Sequence, residues 1–302
     1  MKGSIEKNSE FRISKADLQG EHCGKLYVVS TPIGNLEDIT LRALRVLKRV
    51  AVIAAENVSH TRGLCEHYGI RTRLTKYHQH NQRSKTPELV RALKSGKDIA
   101  LVTDAGTPGI SDPGVLLIQQ AVQERIKLVP IPGACAVTAA LSVSGLPAER
   151  FVFLGFLPPK PGKRRKALKE LSTEPRTMVF FEAPHRIKAM LTDLMEILGD
   201  RQMVMVREMT KMFEEVRRGS VKAIFYHLTS DGIRGEFTLV LAGSDKREAQ
   251  AIDPQVRKQI EEMLVEEKMS VKEIAGLISH ESGLTYRRIY KECLAKKRAL
   301  EV

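Results

Sequence analysis

The stretch that decides the fold is Asp104–Gly114, Asp-Ala-Gly-Thr-Pro-Gly-Ile-Ser-Asp-Pro-Gly, which follows the apolar run Ile99–Val102. An apolar strand that ends in such a segment predicts a turn that brings bare backbone and carboxylates close to a small ligand. Similar turns are Ser30–Asn35, after the apolar run Leu26–Val29, and Pro130–Ala134. Any one of these turns alone is also typical of a plain surface connection. Together they predict an open α/β sheet with a ligand site at the carboxyl ends of its strands.

The composition indicates a globular protein with a polyanionic partner. The 302 residues include 49 Lys and Arg against 36 Asp and Glu, which gives a formal net charge of +13. Because cationic side chains neutralise phosphates and release counterions, this excess favours a nucleic acid or another polyanion. No apolar run approaches the roughly 18 residues that a membrane-spanning helix needs, so we expect no membrane association.

The cysteines and the N-terminus favour a reducing, cytoplasmic location. Four cysteines lie far apart and form no Cys-x-x-Cys pair: Cys23, Cys65, Cys135 and Cys293. The first 24 residues contain no apolar segment of the kind that a secretory signal requires. We expect no bound metal, because His78 and His80 have no carboxylate or thiol at ligand spacing.

Alternating strand and helix patterns predict an α/β protein with two domains and a small C-terminal helical appendage. We expect a disordered arm over residues 1–24, an N-terminal α/β domain over 25–145, a C-terminal α/β domain over 146–244, and helices over 250–302. Closely spaced strands in the second domain favour a mixed sheet. These predicted strands are Phe151–Leu157, Thr177–Phe181, Gln202–Val206, Val221–Tyr226 and Phe237–Ala242.

The C-terminal appendage carries recognisable helix signals. Ser270 is a candidate N-cap for one helix and Thr285 for the last one, and the turn between them contains Gly283. This arrangement resembles a helix-turn-helix, in which Arg287 and Arg288 are candidate contacts to phosphate groups. A helical hairpin that packs for stability or dimerisation is the alternative.

Two basic runs favour binding to a nucleic-acid backbone. One extends over Arg71–Lys94, and the other contains Lys163, Arg164, Arg165 and Lys166, which are candidate phosphate contacts. Both runs are predicted to flank the ligand cleft. The alternative is a solvated helix face, which is the usual state of a charge run.

Five motifs in this order resemble the tetrapyrrole methylase family: Leu26–Leu36, Asp104–Gly114, Pro132–Cys135, Phe180–Arg186 and Arg207–Lys211. The resemblance extends from about residue 26 to residue 243. It implies a two-lobed α/β fold, with parallel and mixed sheets flanked by helices, and a homodimer. From the rRNA-modifying members it also implies S-adenosylmethionine as methyl donor. The implied acceptor is the ribose 2′-hydroxyl of a cytidine in the decoding region of 16S rRNA, within the small ribosomal subunit.

The same resemblance implies where the methyl donor binds. The implied cofactor residues are Ile33, Asp104, Thr107, Cys135, Ala136, Phe181, Met209 and Thr238. The chain has neither the G-x-G-x-x-G loop nor the P-loop that binds nucleotides in other folds. A carboxylate at a strand end, as at Asp104, can accept hydrogen bonds from donor hydroxyls or from its amine. Taken alone, Phe181 and Met209 fit a hydrophobic core as well.

Four charged residues that the resemblance places toward the cleft are candidates for the chemistry: Glu182, Arg186, Glu208 and Lys211. Methyl transfer to a hydroxyl is an in-line displacement, so the site must align the reacting atoms and ease loss of the proton. Lys211 or Arg186 can stabilise a developing alkoxide, and Glu208 can orient or deprotonate the hydroxyl. Ordinary salt bridges among these residues are the alternative.

One segment departs from the family pattern. Members commonly carry Ala-Glu-Asp-Thr-Arg after the second strand, whereas Ala55–Ser59 reads Ala-Glu-Asn-Val-Ser. Asn57 cannot act as a base, and Ser59 cannot bind phosphate as an arginine does. The departure therefore concerns the geometry of the acceptor more than binding of the donor.

Two other functions stay open at the level of the sequence. A methyltransferase that acts on a porphyrin or corrin precursor also fits the net charge, because such substrates carry many carboxylates. A nucleic-acid-binding regulator with a small-molecule effector site fits the C-terminal helices and the α/β turns. RNA methylation is favoured by the Thr31–Leu36 motif, the basic run at Lys163–Lys166 and the C-terminal helices.

Overall fold

The computed structural model describes residues 23–228, 233–244, 252–266, 269–282, 284 and 286–300, without the side chains of residues 287, 288 and 300. Residues 1–22 of the predicted arm therefore lie outside the described residues. The described chain forms two compact units. The first holds the residues up to Lys169 together with Thr177–Ala242, and the second holds Glu170–Arg176 with the described residues from Gly243 onward.

A five-stranded parallel sheet forms part of the first unit. Its strands are β1 (Leu26–Val29), β2 (Val52–Ala55), β3 (Leu74–Lys76), β4 (Ile99–Val102) and β5 (Leu128–Ile131). The spatial order is β3-β2-β4-β1-β5, so the first strand in sequence lies inside the sheet. All four residues of β4 are buried, as expected for a parallel sheet that helices cover on both faces.

Helices follow the strands of this sheet. They are α1 (Leu41–Arg49), α2 (Val58–His67), α3 (Gln82–Lys94), α4 (Val115–Gln123) and α5 (Ala136–Ser144), with a 3₁₀ turn at Leu36–Asp38. Side-chain caps explain two of the helix starts. The hydroxyl of Thr40 accepts from the N–H of Ala43, and the Asn57 side chain accepts from the N–H groups of Ser59 and His60. Gly145 ends α5 in the left-handed conformation, with a φ of 72°.

A mixed five-stranded sheet completes the first unit. Its strands are β6 (Phe151–Phe156), β7 (Thr177–Glu182), β8 (Gln202–Arg207), β9 (Glu215–Ser220) and β10 (Phe237–Leu241). The spatial order is β6-β7-β10-β8-β9, in which only β6 and β7 run parallel. The helices of this part are α6 (Pro161–Glu170), α7 (Ile187–Leu198) and α8 (Val221–His227). The α/β class with parallel and mixed sheets, predicted from the sequence, is confirmed.

One predicted strand in this sheet is wrong. Residues Val221–Tyr226 lie in helix α8, because the hydroxyl of Ser220 caps the helix by accepting from the N–H of Ala223 (3.2 Å). Val221 and Ile224, one helical turn apart, bury the inner face. The strand that the prediction missed is β9, whose sequence Glu-Val-Arg-Arg-Gly-Ser lacks clear apolar alternation.

The second unit contains three helices with their own core. They are α9 (Pro254–Val265), α10 (Val271–Ser282) and α11 (Tyr286–Leu300). Ser270 and Glu273 form a capping box at the start of α10: Ser270 N–H donates to Glu273 Oε2 (2.8 Å), and Glu273 N–H donates to Ser270 Oγ (3.3 Å). Ile260, Ile274 and Ile289 are fully buried among these helices. The capping pair thus fixes the start of a helix that packs into a small hydrophobic core.

Some interpretations of the appendage stay predictions. Gly283 and Thr285, the predicted turn and cap, lie outside the described residues. The packing of α10 and α11 does not distinguish a helix-turn-helix from a helical hairpin, so this resemblance also stays a prediction. Across the described residues, no helix has both the length and the apolar character that crossing a membrane requires.

Candidate active site

The turns that follow β1, β4 and β5 meet at the carboxyl edge of the parallel sheet. Thr31 and Gly106 form an isolated antiparallel bridge, in which each N–H donates to the carbonyl of the other (2.9 and 3.1 Å). The hydroxyls of Ser30 and Thr107 share a hydrogen bond of 2.8 Å. Gly133 approaches Ser30 so closely that a Cβ at residue 133 would lie 3.0 Å from the Cβ of Ser30. The close approach favours a glycine at residue 133, and these contacts hold the three turns together.

These turns and the mixed sheet line a cavity of about 360 Å³, which we call the donor cavity. Its lining includes every implied cofactor residue except Asp104: Ile33, Thr107, Cys135, Ala136, Phe181, Met209 and Thr238. The volume lies in the range of small-molecule sites, about 300–1,000 Å³. Residues that are separated by up to 205 positions in the sequence therefore line one cavity.

Aromatic side chains supply an apolar wall of the donor cavity. The ring of Phe181 contacts Phe153 and Phe156 edge to face, with centroid distances of 4.9 and 5.7 Å. Phe156 lines the cavity and is 54% exposed. This wall suits a flat, weakly polar group, since aromatic rings interact favourably in edge-to-face and offset arrangements.

The amino end of α5 also lines the donor cavity. Cys135 is the N-cap residue of this helix, and its side chain accepts no hydrogen bond from the helix. The first N–H groups of α5 therefore have no side-chain partner, and the positive end of the helix dipole favours an anionic group near Ala136.

Asp112 is a residue of the donor cavity that the sequence analysis missed as a site residue. Its half-buried carboxyl has no hydrogen-bond or ionic partner among the described residues. Burial raises the pKa of Asp112 from 3.8 to about 6, and the negative charges of Glu56 and Asp104 add to the rise. The signal was present in the sequence, because Asp112 belongs to the same motif as Asp104.

Asp104 does not line the donor cavity, so its predicted contact with the methyl donor stays a prediction. Its Oδ1 accepts a hydrogen bond from the N–H of Asn57 (3.1 Å), and its own N–H donates to Glu56 Oε2 (3.4 Å). These contacts hold Asp104 at the start of α2, while the next residue, Ala105, lines the donor cavity. Asp104 instead lines a second cavity, of about 370 Å³. The described residues contain no group of three His, Cys, Asp or Glu side chains that could hold a metal ion.

Glu182 and Arg186 form a partly buried ion pair at the edge of the donor cavity. Glu182 Oε1 lies 3.1 Å from Arg186 Nε and accepts from the N–H of Ala183 (2.8 Å). Arg186 also donates to the carbonyl of Leu157 (2.6 Å). Glu182 lines the cavity, whereas Arg186 does not. Burial raises the pKa of Glu182, although the hydrogen bond from Ala183 and the charge of Arg186 oppose the rise.

Glu208 and Lys211 pair with each other in the turn between β8 and β9. Lys211 Nζ lies 3.0 Å from Glu208 Oε1 and 3.2 Å from Glu236 Oε2. Glu208 Oε1 also accepts from the N–H of Glu236 (2.9 Å). Burial raises the pKa of Glu208, but these hydrogen bonds outweigh burial and the pKa is lowered overall. Neither Glu208 nor Lys211 lines the donor cavity, and their geometry matches the salt-bridge alternative.

The basic run in α6 is divided between structural and exposed residues. Arg164 is 4% exposed, and its Nε lies 2.7 Å from Asp193 Oδ2 on α7. Arg165 Nη1 lies 2.6 Å from both Asp193 Oδ1 and Glu196 Oε2. A phosphate cannot reach the buried Arg164, so its predicted role as an RNA contact is corrected to a structural one. Lys163 and Lys166 are exposed, and the side chains of Arg287 and Arg288 lie outside the described residues.

Comparison with known proteins gives a consistent set of relatives. The sequence profile of the tetrapyrrole (corrin/porphyrin) methylases matches residues 25–224. A protein named ribosomal RNA small subunit methyltransferase I from Pseudomonas aeruginosa is 41% identical over 278 residues, which is 91% of this chain and 98% of the relative. A protein of the same name from Bacillus subtilis is 46% identical and covers 74% of this chain and 77% of the relative.

Solved structures show the same fold at lower identity. Uroporphyrin-III-C-methyltransferase from Thermus thermophilus aligns with a TM-score of 0.53 and 22% identity, over 72% of this chain and 94% of that chain. Because both the profile and the relatives extend over most of the sequence, the chain belongs to the tetrapyrrole methylase family, in the group of proteins named ribosomal RNA small subunit methyltransferase I.

Proposed function

We propose that this protein uses S-adenosylmethionine to methylate the ribose 2′-hydroxyl of a cytidine in 16S rRNA of the small ribosomal subunit. The observation that carries the proposal is the similarity to proteins whose name specifies small-subunit rRNA, at 41–46% identity over 74–92% of the chain. The cytidine, the 2′-hydroxyl and the methyl donor come from the motif resemblance. A homodimer and a cytoplasmic location, implied in the same way, stay predictions.

The donor cavity fits S-adenosylmethionine chemically. The donor combines a flat adenosine, a positive sulfonium and a zwitterionic amino-acid tail. Phe181 and Met209 offer apolar contacts, and Thr107 and Thr238 offer hydroxyls. The uncapped amino end of α5 suits the carboxylate of the tail. When bound, the donor supplies an electrophilic methyl carbon on sulfur.

The protein must then position the ribose hydroxyl and receive its proton. Asp112 is the carboxyl best placed for the proton, because it lines the donor cavity and has no partner among the described residues. Asp112 would accept the proton that the ribose 2′-hydroxyl loses on methylation. Glu208 and Lys211 hold the turn after β8 through their ion pair. Glu182 and Arg186 support the cavity rim in the same way.

A labelling experiment tests this proposal. The purified full chain is incubated with methyl-labelled S-adenosylmethionine and small ribosomal subunits from a strain that lacks the corresponding modification. We expect about one methyl group per subunit, located by nuclease digestion and mass spectrometry on the ribose of a single cytidine. Label on a base, or no transfer to any RNA, contradicts the proposal.

A porphyrin or corrin precursor is the alternative acceptor. The solved structures with such names are about one-fifth identical to this chain and therefore support the fold alone. Transfer of label to uroporphyrinogen in a parallel reaction, with none to subunits, would establish this alternative. The more similar relatives, all named for rRNA, support the RNA acceptor instead.

A further inference from the structure

The second cavity, of about 370 Å³, lies beside the donor cavity at the carboxyl ends of β1, β2 and β4. The two cavities share one boundary, the bridge between Thr31 and Gly106. Pro32 lines the second cavity and the next residue, Ile33, lines the donor cavity. A molecule held in the second cavity therefore lies next to whatever the donor cavity holds.

The second cavity contains a buried hydroxyl without a partner. Thr61 is 2% exposed, and its Oγ1 makes no hydrogen bond within the described chain. A threonine in a helix usually donates to the carbonyl four residues earlier, which here is that of Asn57. That carbonyl accepts only the backbone N–H of Thr61 (3.0 Å). Because buried polar groups are almost always paired, this hydroxyl needs a partner that the described chain does not supply, such as a bound molecule or an ordered water.

A carboxylate faces the same cavity. Asp104 Oδ1 accepts from the N–H of Asn57, while Oδ2 has no hydrogen bond from a described residue. The carboxylate makes the cavity unsuitable for a phosphate, since like charges repel. It suits a ligand that presents an N–H donor to Oδ2 and an acceptor to Thr61.

The remaining walls suit a flat ring. Pro32 and Leu64 contribute apolar surface, and the imidazole of His60 lies at the exposed side. A Cβ at Gly63 would meet no atom within 4 Å, so the glycine leaves this side of the cavity open. A pyrimidine with an amino group combines this shape with the required hydrogen-bonding edge.

We propose that the second cavity holds the base of the target cytidine, with Asp104 Oδ2 accepting from its N4 amino group and Thr61 Oγ1 donating to the acceptor atoms of its pairing edge. This inference rests on the proposed function. Enzymes that modify a nucleotide commonly take it out of the helix and read its exposed edge in a pocket. A base in this cavity places its own ribose at the Thr31–Gly106 bridge, beside the donor cavity. We call the second cavity the base cavity.

Uracil is rejected by the same arrangement. Its O4 is an acceptor where cytosine carries an amino donor, so a uracil would place an oxygen against the Asp104 carboxylate. The base cavity thereby explains how a cytidine is selected over a uridine without help from neighbouring nucleotides.

Filling the base cavity is the sharpest test. Gly63→Leu adds a side chain where the structure leaves space, and leucine favours a helix interior more than glycine does. We expect kcat/KM for small ribosomal subunits to fall by about 100-fold or more. The dissociation constant of S-adenosylmethionine should change less than twofold and Tm should not fall. Gly63→Ala is the matched control, because one methyl group leaves most of the space open and should cost less than about threefold.

Two polar substitutions test the recognition itself. Thr61→Val keeps the shape and removes the free hydroxyl, so KM for subunits should rise by about fivefold or more without loss of Tm. Asp104→Asn exchanges an acceptor for an amide that can also donate. On subunits with uridine at the target position, the wild type should be at least about 100-fold slower than on cytidine, and Asp104→Asn should narrow this ratio to below about tenfold.

The outcomes separate this inference from the proposed function. A wild-type protein that methylates subunits, together with an equally active Gly63→Leu variant, overturns the base cavity alone. A loss of donor affinity of tenfold or more in Gly63→Leu assigns the cavity to the donor and overturns the inference as well. A wild-type protein that transfers no methyl group to subunits contradicts the proposed function, and the base cavity with it.

Discussion

The loop Asp104–Gly114 and the helix α6 both carry several charges, but the structure uses those charges in different ways. In the loop, Asp112 is half-buried and has no partner in the described chain. In α6, Arg164 is buried against Asp193, which also binds Arg165. A charge without a partner can still bind a ligand or exchange a proton, whereas a buried pair is already satisfied and serves the fold. Pairing, rather than the density of charge, separates the two regions.

The largest expected effect comes from removing the unpaired carboxyl. Asp112→Asn should lower kcat for methyl transfer to subunits by about 10²–10⁴-fold, the range for loss of a general base. Only the carboxylate accepts a proton, so the wild-type rate should rise with pH through about 6 and then level off. Single-turnover rates of the wild type and the variant between pH 5 and 9 measure the loss of rate and its pH dependence. The rate of the variant should not rise with pH.

The paired turn after β8 provides the matched control for that experiment. Glu208→Gln keeps the size of the side chain and removes the charge that binds Lys211. We expect its rate to stay within about threefold of the wild type, since a partly exposed pair contributes at most about 1 kcal/mol. Loss of the reaction in Glu208→Gln, with activity retained in Asp112→Asn, would contradict the distinction between paired and unpaired charges.

The next largest effect is on stability, in α6. Arg164→Ala leaves Asp193 buried with only Arg165 as a cationic partner, so the free energy of unfolding should fall by about 3 kcal/mol. Lys163→Ala, one residue away and exposed, should change it by less than about 0.5 kcal/mol. Urea denaturation of the full chain measures both. Equal stability of the two variants would show that the buried pair is not structural.

The sequence predicted the position of the donor cavity more readily than it predicted which charged residues form ion pairs. Apolar runs followed by Gly and Pro locate β1, β4 and β5 and their turns, because buried strands and tight turns restrict the residue types locally. The polar strand β9 and the helix at Val221–His227 were not predicted, because their conformations depend on residues that are close in space and not in sequence. Arg164 and Lys163 look alike in a basic run, and only the position of Asp193 on α7 separates them.

A smaller effect follows from the raised pKa of Asp112. Because the folded protein holds this proton more tightly than the unfolded chain, the wild type loses stability as the pH rises from 3.8 through about 6. The shift corresponds to at most about 3 kcal/mol, and water at the half-buried side chain reduces it. Asp112→Asn should therefore be more stable than the wild type by about 1–2 kcal/mol at pH 8. Its advantage should disappear below pH 3.8, as measured by denaturation at both ends of this range.

The smallest effect is expected at the exposed lysines of α6. If Lys163 and Lys166 bind phosphates, replacing both with Ala should flatten the salt dependence of RNA affinity by roughly 0.7–0.9 log units for each phosphate that the variant no longer neutralises. Donor affinity should not change. Titration of labelled subunits at several salt concentrations measures the slope of RNA affinity against salt. An unchanged slope would show that these lysines belong to a solvated helix face.

The central claim is that the donor cavity between the parallel-sheet turns and the mixed sheet holds the methyl donor. Calorimetric titration of S-adenosylmethionine into the full chain tests it, with Ala136→Leu in the donor cavity compared with Gly63→Leu in the base cavity. We predict one site per chain, a loss of affinity of at least about tenfold in Ala136→Leu, and wild-type affinity in Gly63→Leu. Wild-type affinity in Ala136→Leu would contradict the assignment of the donor cavity.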